Sequence, residues 1–172
     1  MTLTLDTPYI TERRGDFLLS TDPALLDLDV IHDFLTNCYW AKGIPRETVE
    51  RSMENSLCFG VYAVANTPTL SQNVREGWGT RRQVAFARVI SDFATYAYVG
   101  DVFVIEAFRG QGLSKWMMRA IVSHPALQGL RRWTLLTRDA HKLYSQFGFT
   151  PLQKPDRYME LHNPNVYEAV HS

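Results

Sequence analysis

The stretch from Asp101 to Ser123, DVFVIEAFRGQGLSKWMMRAIVS, constrains the chain more than any other. Val102-Phe103-Val104-Ile105 is an apolar run of strand length, Phe108-Arg109-Gly110-Gln111-Gly112 is a polar turn with two glycines, and Leu113 to Ser123 has helical character. Strand, glycine turn and helix together build an anion site. The first helical turn leaves N–H groups without partners and carries the positive end of the helix dipole. Glycine, lacking a Cβ, lets the backbone approach a phosphate closely. Two other phosphate loops fail on residue identity. The dinucleotide fingerprint G-x-G-x-x-G, counted from Gly110, would need Gly or Ala where Lys115 stands, and no Gly-Lys-Ser/Thr follows a longer loop.

The 172 residues suit a single domain. Eighteen basic residues cancel eighteen acidic ones, which argues against a broad electrostatic footprint for nucleic acid. No apolar run approaches the roughly 20 residues of a membrane span, and no basic leader opens the chain, so no membrane association and a cytoplasmic location are expected. Cys38 and Cys58 show no metal-ligand spacing, so no metal is expected. G-x-S-x-G and H-E-x-x-H are absent, which disfavours the commoner hydrolases.

Hydrophobic patterning predicts a loose arm over residues 1–14, one domain over 15–161 with an inserted loop or hairpin at 66–80, and a fraying tail over 162–172. Within the domain, strands are expected at Asp16–Ser20, Ser56–Ala65, Gln83–Ile90, Thr95–Ile105, Arg132–Thr137, Phe149–Leu152 and Arg157–Leu161. Helices are expected from Pro23 to about Cys38, capped within Ser20-Thr21-Asp22, from Arg46 to Asn55, from Leu113 to Ser123, and from an Asp139 cap to Phe147. His32, on the buried face of the first of these, reads as a packing residue. This order predicts an α/β (α+β) fold: a mixed sheet with helices on both faces.

Two motifs stand in order along this scaffold. Arg109-x-x-Gly112-x-Ser114 leaves a strand and enters a helix, and Leu143-Tyr144-Ser145-Gln146-Phe147-Gly148-Phe149 ends the last long helix, with the small Ala140 four residues before the tyrosine. Together they resemble the GNAT superfamily of acyl-CoA N-acyltransferases, whose patterns are Arg/Gln-x-x-Gly-x-Gly/Ala and Leu-Tyr-x-x-x-Gly-Phe. The resemblance spans Asp16 to Leu161, and Ser114 departs from the last loop position. It implies the GNAT-type, mostly antiparallel sheet and acetyl-CoA as co-substrate. By the same resemblance, the amides of Arg109, Gly110, Gln111, Gly112, Leu113 and Ser114 hold the coenzyme A pyrophosphate. The pantetheine arm runs beside Phe103, Val104 and Ile105. Thr137 stands where the family often has Asn, and Tyr144 hydrogen-bonds the sulfur and protonates the leaving thiolate.

An amine attacks a thioester only when neutral, so a carboxylate near the thioester is expected as the base. Asp101 is the favoured candidate, because two-residue alternation places it on the face of Phe103 and Ile105; Asp92 and Glu106 are alternatives. Tyr39 and Trp40 match the region that covers the acceptor site in the family, and with Asp101 and Asp92 they point to a small cationic amine. Lys115, Arg119, Arg138 and Lys142 are the cations nearest the helix starts, where an adenosine 3′-phosphate would lie. The leading expectation is therefore an acetyl-CoA-dependent N-acetyltransferase with a small-molecule amine acceptor, acting as a monomer or homodimer. The alternatives are a non-catalytic coenzyme A-binding or sensing module, and a protein-interaction domain docking through residues 66–80.

Overall fold

The computed structural model describes residues 9–64 and 81–167. A six-stranded sheet organises them in chain order: β1 (Thr11–Arg14), β2 (Phe17–Ser20), β3 (Leu57–Val64), β4 (Arg81–Ser91), β5 (Tyr96–Val104) and β6 (Arg132–Leu135). Neighbours are antiparallel except β5 and β6, which are parallel. A parallel pair needs a crossover, and α3 (Leu113–Ser123) supplies it. Helices α1 (Leu28–Asn37) and α2 (Arg46–Glu54) lie between β2 and β3, and the single turn α4 (His141–Tyr144) follows β6.

The sheet has a core on each face. Ile31 and Leu35 of α1 and Val49 of α2 pack with Phe86 and Phe103 on one side. On the other, α3 buries Leu113, Trp116, Met117, Met118, Ala120 and Ile121 against Phe59, Val61, Ala87 and Val99. The mostly antiparallel sheet with helices on both faces expected from the sequence is the one that forms, and α3 has the predicted bounds.

Several local expectations are corrected. Thr11–Arg14, expected within a loose arm, form the edge strand β1 through the two-residue turn Gly15-Asp16. All four residues are exposed, so no hydrophobic alternation marks them. The first helix is interrupted: Asp22 caps a short 3-10 turn at Pro23–Leu25, and Asp27, whose Oδ1 accepts from the Asp29 and Val30 amides, starts α1. The last helix is a single α turn continued as a 3-10 turn at Ser145–Phe147, and its N-cap is Ala140 rather than Asp139. Phe149–Leu152 and Arg157–Leu161 form no strand. Pro151 and Pro155 donate no ladder hydrogen bond there, and residues 151–161 are exposed throughout. The tail does not simply fray: Tyr167 packs against the α1–α2 core. The expected insertion at 66–80 lies outside the described residues.

Two outcomes follow from this packing. Phe86 is fully buried between the α1–α2 layer and Phe103. Replacing it with Ala should cost about 3–5 kcal/mol in urea denaturation. His124 is 2% exposed and its Nδ1 accepts from the Ala126 amide. Burial pushes its pKa below the ordinary 6.5, so the unfolded chain takes up a proton before the folded one does. Stability should therefore be full above pH 6.5 and fall as pH drops below it, and the His124→Asn chain should show a shallower slope in the same titration.

Candidate active site

The cleft begins where two strands part. β5 and β6 pair only from Tyr96↔Arg132 to Val99↔Leu135, and β5 runs on from Gly100 to Val104 with no β6 partner. A bulge causes the change. Phe86 pairs with Phe103 and Arg88 with Gly100, so Asp101 and Val102 together face Ala87, and Asp101 sits at φ 52°. Val99 packs on the α3 side and Phe103 on the α1 side. The extra residue turns Asp101 to the α1 side, toward Trp40 and Arg88. Ile105 N–H bonds Val84 O, so alternation aims the peptide groups of Val104 at the open edge.

The cleft beyond that edge encloses about 1700 Å³. It brings together Tyr39, Trp40, Asp101, Phe103, Val104, Arg109, Gly110, Gly112, Leu113, Ser114, Thr137 and Tyr144 of the residues singled out from the sequence. Ile105 and Gln111 do not line it. Gly110 (φ 78°) and Gly112 (φ 72°) occupy the left-handed region that their lack of Cβ permits. Gly112 is the N-cap of α3 and offers no side-chain cap, and its carbonyl accepts the first helical bond from Trp116. The amides of Leu113, Ser114 and Lys115 thus have no intrahelical acceptor, and the first turn carries no acid. The Arg109 side chain folds back, Nε donating to Val104 O at 3.1 Å, and ties the loop to the end of β5.

Tyr144 faces the cleft from α4 and is 8% exposed. Burial, with the nearby Tyr39, Tyr98 and Asp139, pushes its phenol up to about 12, so it is protonated at neutral pH. Thr137 Oγ1 accepts the Ala140 amide at 3.0 Å, capping the turn that presents Tyr144.

The opposite wall comes from the α1–α2 link. Phe34 stacks on Phe103 at 3.9 Å, and Trp40 donates its Nε1–H to Asp101 Oδ1 at 3.1 Å. The other Asp101 oxygen pairs with Arg88, whose Nη1 reaches Ser56 Oγ at 3.3 Å. Arg138 stacks its guanidinium over Tyr39 at 3.9 Å and joins the two banks of the cleft. His32 bonds Ile44 O and braces this link. Of the alternative bases, Asp92 does not line the cleft: its carboxylate accepts from Thr95, Ala94 and Tyr96, which hold it well below the usual carboxylate range. Glu106 opens an exposed 3-10 turn at the strand exit. Of the two carboxylates expected to meet a cationic acceptor, only Asp101 lines the cleft, and it is paired with Arg88. Among the described residues, Lys42, Arg88, Arg109 and Arg138 line the cleft with Asp101 and Asp139; Arg88 pairs with Asp101 and Arg138 lies 3.9 Å from Asp139, so Lys42 and Arg109 make the excess.

Sequence reasoning missed Arg88, Tyr98 and the segment His162–Tyr167, which contribute to the cleft lining. Arg88 alternates with buried neighbours in β4, where an inward-facing cation implies a buried partner. No such signal marks the tail. Among the described residues, no helix is long and apolar enough to cross a membrane, and no group of three or more His, Cys, Asp or Glu is placed to hold a metal.

Comparison with known proteins fits this geometry. The family model for an acetyltransferase (GNAT) domain matches residues 74–151. A Gibberella zeae protein named as an acetyltransferase by assignment is 35% identical over 144 residues, 77% of this chain and 78% of its own. A Xanthomonas campestris pv. campestris crystal structure, assigned to the same family, is 47% identical with a TM-score of 0.75 and covers 88% of this chain and 96% of its own. A Clostridium acetobutylicum structure with acetyl-CoA shares the fold at 17% identity and a TM-score of 0.53, covering 90% of this chain and 95% of its own.

The Arg88–Asp101 pair is mostly withdrawn from solvent, with side chains 19% and 12% exposed. A double-mutant cycle with Arg88→Ala and Asp101→Ala should return a coupling of about 1–3 kcal/mol in chemical denaturation, because either single change strands the other charge.

Proposed function

The chain belongs to the GNAT family of acetyltransferases, and from that premise we propose that it transfers the acetyl group of acetyl-CoA directly to a small primary amine. The observation that carries this reading is that one cleft joins an uncapped helix start, an unpaired strand edge and a buried, protonated tyrosine. The free amides after Gly112 fit a diphosphate, and the edge of β5 that has no β6 partner, with the Val104 N–H on it, fits an amide-bearing arm laid beside it.

Acetyl-CoA supplies an activated carbonyl; this chain supplies position and charge. The amine nitrogen bonds to the thioester carbon as the carbon–sulfur bond breaks. The amides facing the open edge of β5 meet the negative charge that develops on the carbonyl oxygen. Asp101 accepts the ammonium proton through a water, since its oxygens already accept from Arg88 and Trp40 and a carboxylate has acceptor sites beyond two hydrogen bonds. Tyr144 donates to the departing sulfur. Its phenol, at about 12, lies above a thiol near 8.5. Full transfer is therefore uphill by roughly 5 kcal/mol, and Tyr144 acts as a hydrogen-bond donor while solvent completes the protonation. The cations lining the cleft favour an acceptor whose other substituents are neutral or anionic.

Calorimetric titration with acetyl-CoA, followed by thiol release across an amine panel, tests this. Binding is expected, with release for amines that lack a second cationic group. Binding without release for any amine would leave a binding module in place of an enzyme. Tyr144→Phe should lower kcat about 10- to 100-fold and shift KM for acetyl-CoA less than about twofold. With the phenol pushed so high, no falling limb from Tyr144 should appear in the pH–rate profile below about pH 10.

A further inference from the structure

The edge strand β1 reaches the glycine loop from behind. Glu12 and Arg14 are two residues apart, on one face of the strand, and both grip the start of α3. Trp116 donates its Nε1–H to Glu12 Oε2 at 2.9 Å, and the Arg14 guanidinium lies 4.8 Å over the Trp116 ring. Arg14 Nη2 donates to Gln111 O at 2.9 Å, across 97 residues of sequence. Neither Arg14 nor Gln111 lines the cleft, whereas Gly112 does.

Peptide geometry connects these facts. The Gln111 carbonyl and the Gly112 N–H belong to one planar trans peptide and point in opposite directions. Holding the carbonyl outward on Arg14 aims the Gly112 amide inward. Gly112 has φ 72° and little steric reason to keep one orientation of that peptide, so an outside anchor is needed. A guanidinium can serve as that anchor, because its plane lies on an indole while its edge donates along a fixed direction. Among the described residues Arg14 forms no ion pair with a carboxylate, so its fork is committed to the ring and the loop.

We infer that Arg14 is a positioning residue for the diphosphate of the acyl donor, acting through the Gln111 carbonyl to aim the Gly112 amide. The inference rests on the proposed acetyl-CoA reading. Its role is separate from that of Arg109, which ties the same loop to β5.

The test compares wild type, Arg14→Gln and Arg14→Lys with two donors, acetyl-CoA and acetyl-pantetheine, the latter lacking the diphosphate. Arg14→Gln should raise KM for acetyl-CoA about tenfold with kcat within about twofold, and leave kcat/KM for acetyl-pantetheine unchanged. Arg14→Lys keeps the charge but not the planar fork, and should recover less than half of the loss on a logarithmic scale. An unchanged KM in Arg14→Gln, an equal loss with both donors, or full recovery by Arg14→Lys would each overturn the inference. The urea midpoint of each variant separates loop positioning from general unfolding; a rise in KM that tracks a lowered midpoint also overturns it. If wild type neither binds nor turns over acetyl-CoA, it is the proposed function that fails.

Discussion

The bulge at Asp101 is the feature on which the cleft depends. A regular β5 would keep Asp101 on the face of Val99, against α3, and send its carboxylate into an apolar core. The extra residue rotates the strand, turns that carboxylate toward Arg88 and Trp40, and leaves β5 without a β6 partner past Val99. A non-glycine residue in the left-handed region costs on the order of 1–2 kcal/mol. The largely shielded ion pair with Arg88, together with the more exposed indole hydrogen bond, acts against that cost. The bulge thus sits where the opening and the polar floor meet.

The cleft is closed by groups that come from far along the chain. Phe34 and Trp40 bring in the α1–α2 link, Arg138 meets Tyr39 from the opposite bank, and Tyr167 seals the lower edge beside Gly43. These are aromatic and cation–π contacts at or near the surface, each worth little alone. The core beneath them is dense, with α3 and α1 pressed on opposite faces of the sheet. The architecture is therefore a rigid sheet carrying a weakly latched rim, the arrangement in which a rim opens more easily than its base.

Sequence reasoning succeeds here where periodicity or a strict geometric need is strong. Leu113 to Ser123 is legible to the residue, because six buried positions repeat at helical spacing and Gly112 must stand before them. The two motifs lead to a single cleft because both lie at the ends of parallel strands. The failures share a cause. β1 buries nothing, so Thr11–Arg14 carry no pattern. Phe149–Leu152 and Arg157–Leu161 have strand composition, but Pro151 interrupts the first and residues 157–161 are exposed throughout, with no face to bury. Asp101 falls on the correct face only when alternation is counted from Phe103, on the same side of the bulge; counted from Val99 it goes to the wrong one. Its pairing with Arg88 is illegible, since the partner lies on another strand.

The chain is neutral as a whole, with eighteen charges of each sign, yet the cleft wall is not. Among the described residues four cations and two carboxylates line it, the excess being Lys42 and Arg109, and the uncapped start of α3 adds the positive end of a helix dipole. Global neutrality keeps long-range fields weak, while a concave, partly desolvated wall concentrates what field there is. Such a site discriminates by proximity: an anionic ligand gains only once it is between β5 and α4, where solvent screening is reduced. Arg88 and Asp101, paired with each other, add little to that field, and Tyr144, held neutral by burial, adds no charge at all. The donor side is thus governed by cations and amides, and the reacting centre by neutral dipoles. Under the proposed function, that division puts a thioester, which is uncharged until it reacts, in the part of the cleft where charge must appear and be met.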